Sequence, residues 1–416
     1  MRREIERHSP YNHRKFCCRR WRCLPCVYFC RPFRPFPAAV TIGKSRFEGF
    51  YIPGKGEKMA YLWCDDNKAI SEWQTGLAAG SPLYLDTEFM RERTFWPQLA
   101  LVQVHDGEQI RLIDTNEVDG PTLLPVFQNH TLVMHACSED LEAIATFTGQ
   151  YPAAIEDTQI AAALSGEDMQ WGYQKVVQIL LGVDLPKGAT RTNWLKRPLS
   201  DEQLHYAEDD VKYLPEVAGI LAERLDGLGR RGWWEEECAR LLNQARSKIR
   251  PQDAWRNVKG AGLLQGQSLA VLAALAPWRD RMARERNLPK SFVLKDAQLL
   301  DLARASRSDR GLLADLGFHP KQIRRDGDAL LALMEEGRRQ TPPDPLPGPP
   351  DAAQKKLAKT LRSRVGVIAE EMDMKPDVLM RRRWLEALIR NPEQVPEPLT
   401  GWRYDIVTQP LLELLK

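Results

Sequence analysis

Tyr84-Leu85-Asp86-Thr87-Glu88-Phe89 is an apolar run that carries two carboxylates two positions apart and then stops. Side chains of a strand alternate faces, so Asp86 and Glu88 point the same way, about 7 Å apart. Two like charges held side by side are costly unless a cation or a proton sits between them. The pair is therefore a candidate divalent-metal site, with a solvated strand end as the bland alternative. Partners elsewhere in the chain decide between the two.

Around this stretch the pattern reads as sheet. Gly80-Ser81-Pro82 turns into it, after a short helical pattern at Ile70, Trp73 and Leu77 that begins from Met59. Gln98–Val104 follows as a second strand, and Asp106-Gly107 makes a hairpin to a third over Ile110–Ile113. Three strands so joined predict an antiparallel meander. A helix (Leu123, Leu124, Val126, Phe127), a strand (Leu132–His135) and another helix (Leu141, Ile144, Ala145) come next. This alternation predicts a mixed sheet covered by helices. Residues 158–164, 171–181 and 201–225 carry helical spacing. Together these elements fit an α/β ribonuclease H-like domain.

At 416 residues the chain calls for several domains. Hydrophobic content of 43% and charged content of 28% are those of a globular protein, and no apolar run reaches the roughly 20 residues of a membrane helix. The net charge of +3 conceals regional asymmetry. Residues 1–58 hold 14 Lys/Arg against 4 Asp/Glu, residues 59–245 hold 14 against 30, residues 246–340 hold 19 against 11, and residues 341–416 hold 12 against 11. An acidic region beside a basic one is expected if one gathers metal ions and the other attracts a polyanion.

Five of the eight Cys (Cys17, Cys18, Cys23, Cys26, Cys30) crowd the first 30 residues. Cys23-x-x-Cys26 has zinc-ligand spacing but lacks a second well-spaced pair. Arg31 and Arg34 interrupt the apolar run, against a signal peptide. Residues 1–58 are expected to be a disordered extension or an artefact of an upstream start codon, with Met59 the working start.

The basic half contains a repeat. Val293-Leu294-x4-Leu299-Leu300 recurs as Val378-Leu379-x4-Trp384-Leu385, 85 positions later. Each copy follows a Pro (Pro289, Pro376) and precedes a Gly-aromatic pair (Gly317-Phe318, Gly401-Trp402). Two copies of one helical module are the simplest account, over residues 265–341 and 351–416. The Pro-rich stretch 342–350 is their linker, since such a run cannot form a helix.

Two further acidic groups complete the pattern. His135-Ala136-Cys137-Ser138-Glu139-Asp140-Leu141 places acids where a helix begins beside a strand end. Leu204–Val211 is helical, and positions four apart share a face, which makes Tyr206 and Asp210 neighbours. Spacing alone leaves Asp209 open as the alternative.

Asp86-x-Glu88, Asp140 and Tyr206-x3-Asp210 resemble the DEDD exonucleases of the Tyr subtype. Leu85–Phe89, Pro97-Gln98-Leu99, His135–Glu142, Asp157-Thr158-Gln159 and Arg191-Thr192-x-Trp194-Leu195-x-Arg197-Pro198-Leu199 are similar to the bacterial ribonuclease D family, and the repeated modules to its two HRDC domains. The resemblance covers residues 59–416. It implies a 3′–5′ exonuclease domain over 59–245, two all-α HRDC domains, and two divalent ions, Mg²⁺ or Mn²⁺. Asp86, Glu88 and Asp210 would hold the ion that activates water, with Asp86 bridging to the second and Asp140 completing the cluster. Tyr206 would orient the attacking water, because a phenol of pKa about 10 is a poor base.

The resemblance further implies substrates with unpaired RNA 3′ ends, precursor tRNA among them, release of nucleoside 5′-monophosphates, and a monomeric cytoplasmic enzyme without membrane association. Arg191, Trp194 and Arg197 are the expected grip on the terminal nucleotides, with packing the alternative for Trp194. Trimming of single-stranded DNA and catalytically idle nucleic-acid binding are the rival functions.

Overall fold

The computed structural model describes residues 61–186, 188, 192–247 and 251–416. The expectations for residues 1–58, the Cys cluster and Arg191 lie outside these residues.

Strands β1 (Tyr61–Cys64), β2 (Pro82–Met90), β3 (Gln98–His105), β4 (Ile110–Asp114), β5 (Thr131–Met134) and β6 (Ala154–Asp157) form one sheet in the order β1-β4-β3-β2-β5-β6. The meander β2-β3-β4 is antiparallel as expected, and β5, β6 and β1 join it in parallel. Asp106 holds the hairpin by accepting from the backbone N–H groups of Glu108 and Gln109, with Gly107 at φ 97°. Strand β1 is a departure from the sequence reading, which ran residues from Met59 into a helix. Four residues are too few to show a period, and only pairing with β4 makes them a strand.

Helices α1 (Asn67–Gly76), α2 (Gly120–Asn129), α3 (Asp140–Thr148), α4 (Thr158–Leu164), α5 (Tyr173–Leu181), α6 (Asp201–Lys212), α7 (Leu214–Gly227) and α8 (Arg231–Arg246) complete this part. The single helical pattern over 201–225 is divided at Tyr213, because Pro215 lacks an N–H and sits in the first turn of α7. On one sheet face Leu83, Leu85, Val102 and Val104 pack with Leu123, Phe127, Leu141 and Ile144. On the other, Leu101, Ile110 and Leu112 meet Trp194, Leu199, Ala207 and Val211, which lays α6 across the face that carries Asp86 and Glu88.

The basic half comprises α9 (Gly266–Glu285), α10 (Lys290–Val293), α11 (Asp296–Arg304), α12 (Arg310–Asp315) and α13 (Pro320–Arg339), followed by α14 (Ala352–Glu371), α15 (Pro376–Leu379), α16 (Arg382–Arg390) and α17 (Gln409–Glu413). Helices of 20, 4 and 9 residues start at 266, 290 and 296 and again at 352, 376 and 382, an interval of 86. Asn287 and Asp373, both at φ 49°, share that interval. The repeat is therefore one residue longer than the Val-Leu motif suggests, and buried Leu299 and Leu302 correspond to buried Leu385 and Leu388.

The two modules meet the nuclease-like part differently. Phe95, in the β2–β3 loop, is buried in the core of α9–α13, and Asn287 Oδ1 accepts from the N–H groups of Phe95 and Trp96 at 3.0 Å each. The second module shares its core with the sheet domain. Trp402 stacks on Trp233 of α8 with centroids 4.4 Å apart, and its Nε1 donates to Glu237.

Candidate active site

Asp86 and Glu88 are half-buried and occupy one face of β2, with Leu85 and Thr87 buried on the other. The β2–β3 register shifts immediately after Glu88. Such a bulge ends regular pairing and bends the strand away beyond the site.

Asp140 opens α3, next to a loop whose Ala136 takes a left-handed conformation at φ 60°. Asp157 clamps that loop. Its buried carboxylate accepts from the N–H groups of Ala136 (3.1 Å) and Cys137 (3.0 Å) while also capping α4 through Gln159 and Ile160. Thr87 Oγ1 donates to Asp140 Oδ1 at 2.5 Å, which ties the start of α3 to β2.

Helix α6 begins with a reciprocal cap between Ser200 and Gln203 and presents Tyr206 and Asp210 one turn apart. The acid that faces the strand pair is Asp210. Asp86 and Glu88 are each disfavoured as anions by the charges of Asp210 and Asp140, whereas Asp209 interacts with Lys212 and His205.

Burial is the first cause of every shift in the cluster, and mutual repulsion adds to it. The Glu88 carboxyl is pushed up to about 9, Asp210 to about 8 and Asp140 to about 6, and Asp86 is raised well above the carboxylate range. The phenol of Tyr206, one turn before Asp210, favours the ionised form of that acid, while burial and Asp210 drive the Tyr206 hydroxyl upward. Tyr206 therefore keeps its proton at neutral pH.

Among the described residues, no three His, Cys, Asp or Glu side chains converge as a ready ligand set for a metal ion. The residues nevertheless fit a hard divalent cation in chemistry. All the donors are carboxylate oxygens, their negative charge is desolvated, and Asp210 Oδ2 is buried without a hydrogen-bond partner. A cation would satisfy that oxygen and offset the repulsion.

Several groups at the site escaped the sequence reading. Gly188 leaves no room for a side chain, since a Cβ there would lie 1.6 Å from the Tyr206 ring. Gln103 stands directly opposite Asp86 in the β2–β3 register, fully buried, with both amide atoms unpartnered. The Tyr173 hydroxyl is also buried without a partner, and Asp210 opposes its ionisation. Signals for these groups are weak: one Gly in a Pro-Lys-Gly stretch, one Gln in an apolar strand, one Tyr at a helix start.

Trp194 and Arg197 do not stand where a grip on nucleotides requires them. Trp194 is 1% exposed and packs 6.1 Å from the Tyr206 ring. Arg197 donates to both oxygens of buried Asp114 and to the carbonyls of Ala100 (2.8 Å), Trp194 (2.6 Å) and Lys196 (3.0 Å). Every guanidinium nitrogen is thus engaged within the protein. The pair anchors the segment that leads into α6.

A 3′–5′ exonuclease family matches residues 61–226, and an HRDC domain family matches residues 268–334. The chain is 38% identical over 373 residues to ribonuclease D of Pseudomonas paraeruginosa, covering 85% of this chain and 97% of that protein. It is 34% identical over 372 residues to ribonuclease D of Escherichia coli, covering 86% and 99%. The crystal structure of Escherichia coli RNase D, described as an exoribonuclease involved in structured RNA processing, superposes with a TM-score of 0.79 at 33% identity, covering 86% of this chain and 99% of that one. The catalytic core of RRP6 from Trypanosoma brucei shares the fold, with a TM-score of 0.52 at 21% identity over 68% of this chain and 83% of that one. With its 3′–5′ exonuclease domain, its HRDC domain and this likeness along most of its length, the chain belongs to the ribonuclease D family of 3′–5′ exoribonucleases.

Proposed function

We propose that the chain trims unpaired RNA 3′ ends, those of precursor tRNA and other small structured RNAs, one nucleoside 5′-monophosphate at a time in the cytoplasm as a monomer. The reading rests on one observation above others: four desolvated carboxylates from β2, α3 and α6 repel one another, and three of them, Asp86, Glu88 and Asp210, act on a phenol that keeps its proton.

Two divalent ions, Mg²⁺ or Mn²⁺, are the proposed cofactors, and when bound they supply activation of water and neutralisation of charge on the leaving oxygen. Asp86, Glu88 and Asp210 would hold them, and Asp140, anchored by Thr87, would complete the acidic cluster. Tyr206 orients the attacking water through its hydroxyl, as in the Tyr subtype of the superfamily. Ala207 of α6 packs with Trp194 and Leu199 in one apolar cluster on the sheet, which supports this placement of the helix.

The domain boundaries that follow are 59–245 for the nuclease, 265–341 for the first HRDC domain, 342–350 for the linker and 351–416 for a second HRDC-like module. The 86-residue recurrence of helix lengths supports the last of these. The basic first module holds the body of a structured RNA by its phosphates.

End-labelled RNA incubated with the purified chain and Mg²⁺ or Mn²⁺ tests the proposal, with matched DNA as a comparison. Stepwise shortening that stops in chelator and in Asp86→Ala is expected. Shortening that persists in either refutes it.

A further inference from the structure

The junction between the nuclease domain and the C-terminal module carries a charge arrangement that neither fold nor catalysis explains. Helix α16 begins Arg382-Arg383 after Arg381 at its N-cap, with no acid in its first turn and no side chain capping its N-terminus. Cations at that end of a helix oppose its dipole. At the corresponding place in the first module α11 begins with Asp296, the arrangement that the dipole favours.

Arg382 is paired with Glu386 at 2.8 Å. Arg381 and Arg383 keep much of their surface exposed, and their guanidinium groups make no hydrogen bond or ion pair among the described residues; they lie 5.1 and 5.9 Å from the centroid of Trp384. Both line a cavity of about 190 Å³ together with Arg240 of α8, Arg403, Trp384 and Glu237. Arg240 is 9% exposed and Arg403 3%. Their charges are offset by Glu237, Glu236 and Glu397, yet the buried Nε of Arg240 has no hydrogen-bond acceptor; Glu237 lies 3.6 Å away. Burial, and then repulsion from Arg383, lowers the Arg381 pKa, even with Glu237 and Asp377 within electrostatic reach. Two unpaired guanidinium groups, residues of the first turn of an uncapped helix, and Arg240, whose buried Nε has no acceptor, line one cavity. An anion with several acceptor oxygens answers all three.

We propose that this cavity is a phosphate-binding site, composed of Arg381 and Arg383 of the C-terminal module and Arg240 of the nuclease domain, that takes a backbone phosphate of the RNA. It rests on the proposed RNA-trimming function and gives the C-terminal module, nearly neutral overall, a local anion site. Because the site bridges two domains, an RNA seated there is fixed relative to the nuclease and not merely tethered to it.

The test uses the full chain and Arg381→Ala/Arg383→Ala, both exposed positions. One measurement is the salt dependence of binding to a structured RNA with an unpaired 3′ end. The other is the thermal shift produced by inorganic phosphate against chloride at equal ionic strength. The double variant is expected to bind RNA about tenfold more weakly, with a log-log salt slope shallower by about 0.7 for each phosphate that the protein no longer neutralises, and to forfeit stabilisation by phosphate. Loss of the RNA effect, with or without the phosphate effect, supports the site with RNA as the source. Loss of the phosphate effect alone supports the site with a free phosphate as its ligand. Unchanged behaviour in both measurements overturns it. Arg381→Lys/Arg383→Lys should recover the salt slope and not the full affinity, since an ammonium keeps the charge and lacks the bidentate fork. Metal-dependent shortening of an oligonucleotide by the unsubstituted chain tests the nuclease reading separately.

Discussion

Replacing Arg197 by Ala separates two roles that one residue could play at the edge of the active site. The side chain is 22% exposed, and Asp114, its partner, is 4% exposed. Removing the guanidinium strips two charge-assisted hydrogen bonds from Asp114 and leaves that carboxylate only the N–H of Asn116 at 2.9 Å. The carbonyls of Ala100, Trp194 and Lys196 lose their donor as well. Breaking one side of a buried pair costs about 3–5 kcal/mol, most of it from the charge left behind. At about 2–4 °C per kcal/mol for a domain of this size, the nuclease transition should fall by roughly 6–20 °C. Differential scanning calorimetry reads this directly, and RNA affinity is measured well below both transitions. The expected result is a large loss of stability with affinity changed less than about threefold. An unchanged transition with binding weakened tenfold or more would refute the reasoning, because the guanidinium would then be contacting RNA.

Gly188→Ala should lower kcat by at least tenfold while leaving RNA affinity nearly unchanged, since a Cβ at that position collides with the Tyr206 ring; single-turnover hydrolysis and fluorescence binding check both. In chelator, Glu88→Gln should be more stable than the unsubstituted chain, by a margin that grows with pH. The folded pKa of about 9 lies above the unfolded value near 4.3, so the folded state holds a proton that the unfolded state releases. The penalty is absent below about pH 4, grows as pH rises, and levels off near pH 9. Urea midpoints of both proteins from pH 5 to 9 measure it, and a margin that shrinks with pH would contradict the cluster's electrostatics. Phe95→Ala should loosen the HRDC domain by a few kcal/mol, because Phe95 is 7% exposed inside that domain's core. Limited proteolysis between residues 247 and 266 should accelerate, and cleavage of structured RNA should fall more than cleavage of a short oligonucleotide.

Local sequence determined much of this protein. Alternation along β2 places Asp86 and Glu88 on one face whatever surrounds the strand, and four-residue spacing brings Tyr206 beside Asp210 on any helix. The hairpin at Asp106-Gly107 and the lack of helix over 342–350 follow from turn chemistry and from proline's missing donor in the same way. Such features arise from neighbours a few positions apart, and the chain states them openly.

Other features depend on which surfaces meet. Asp209 and Asp210 are adjacent, and only the packing of α6 against β3 and β4 turns Asp210 toward the strand acids. Trp194 and Arg197 read along the chain as an RNA grip, with packing the alternative for Trp194, and the folded structure buries Trp194 and engages Arg197 with Asp114. Strand β1 exists because β4 offers it an edge. Phe95 leaves its own domain to fill another, and Trp402 returns from the C-terminal module to stack on Trp233. Along the chain, the carboxylate pair at 86 and 88 is one strand's charge pattern. What makes it costly is the approach of Asp140 and Asp210 from distant parts of the chain, together with the burial that this packing brings. Coulomb repulsion and desolvation act through space, so no reading of neighbours along the chain contains them.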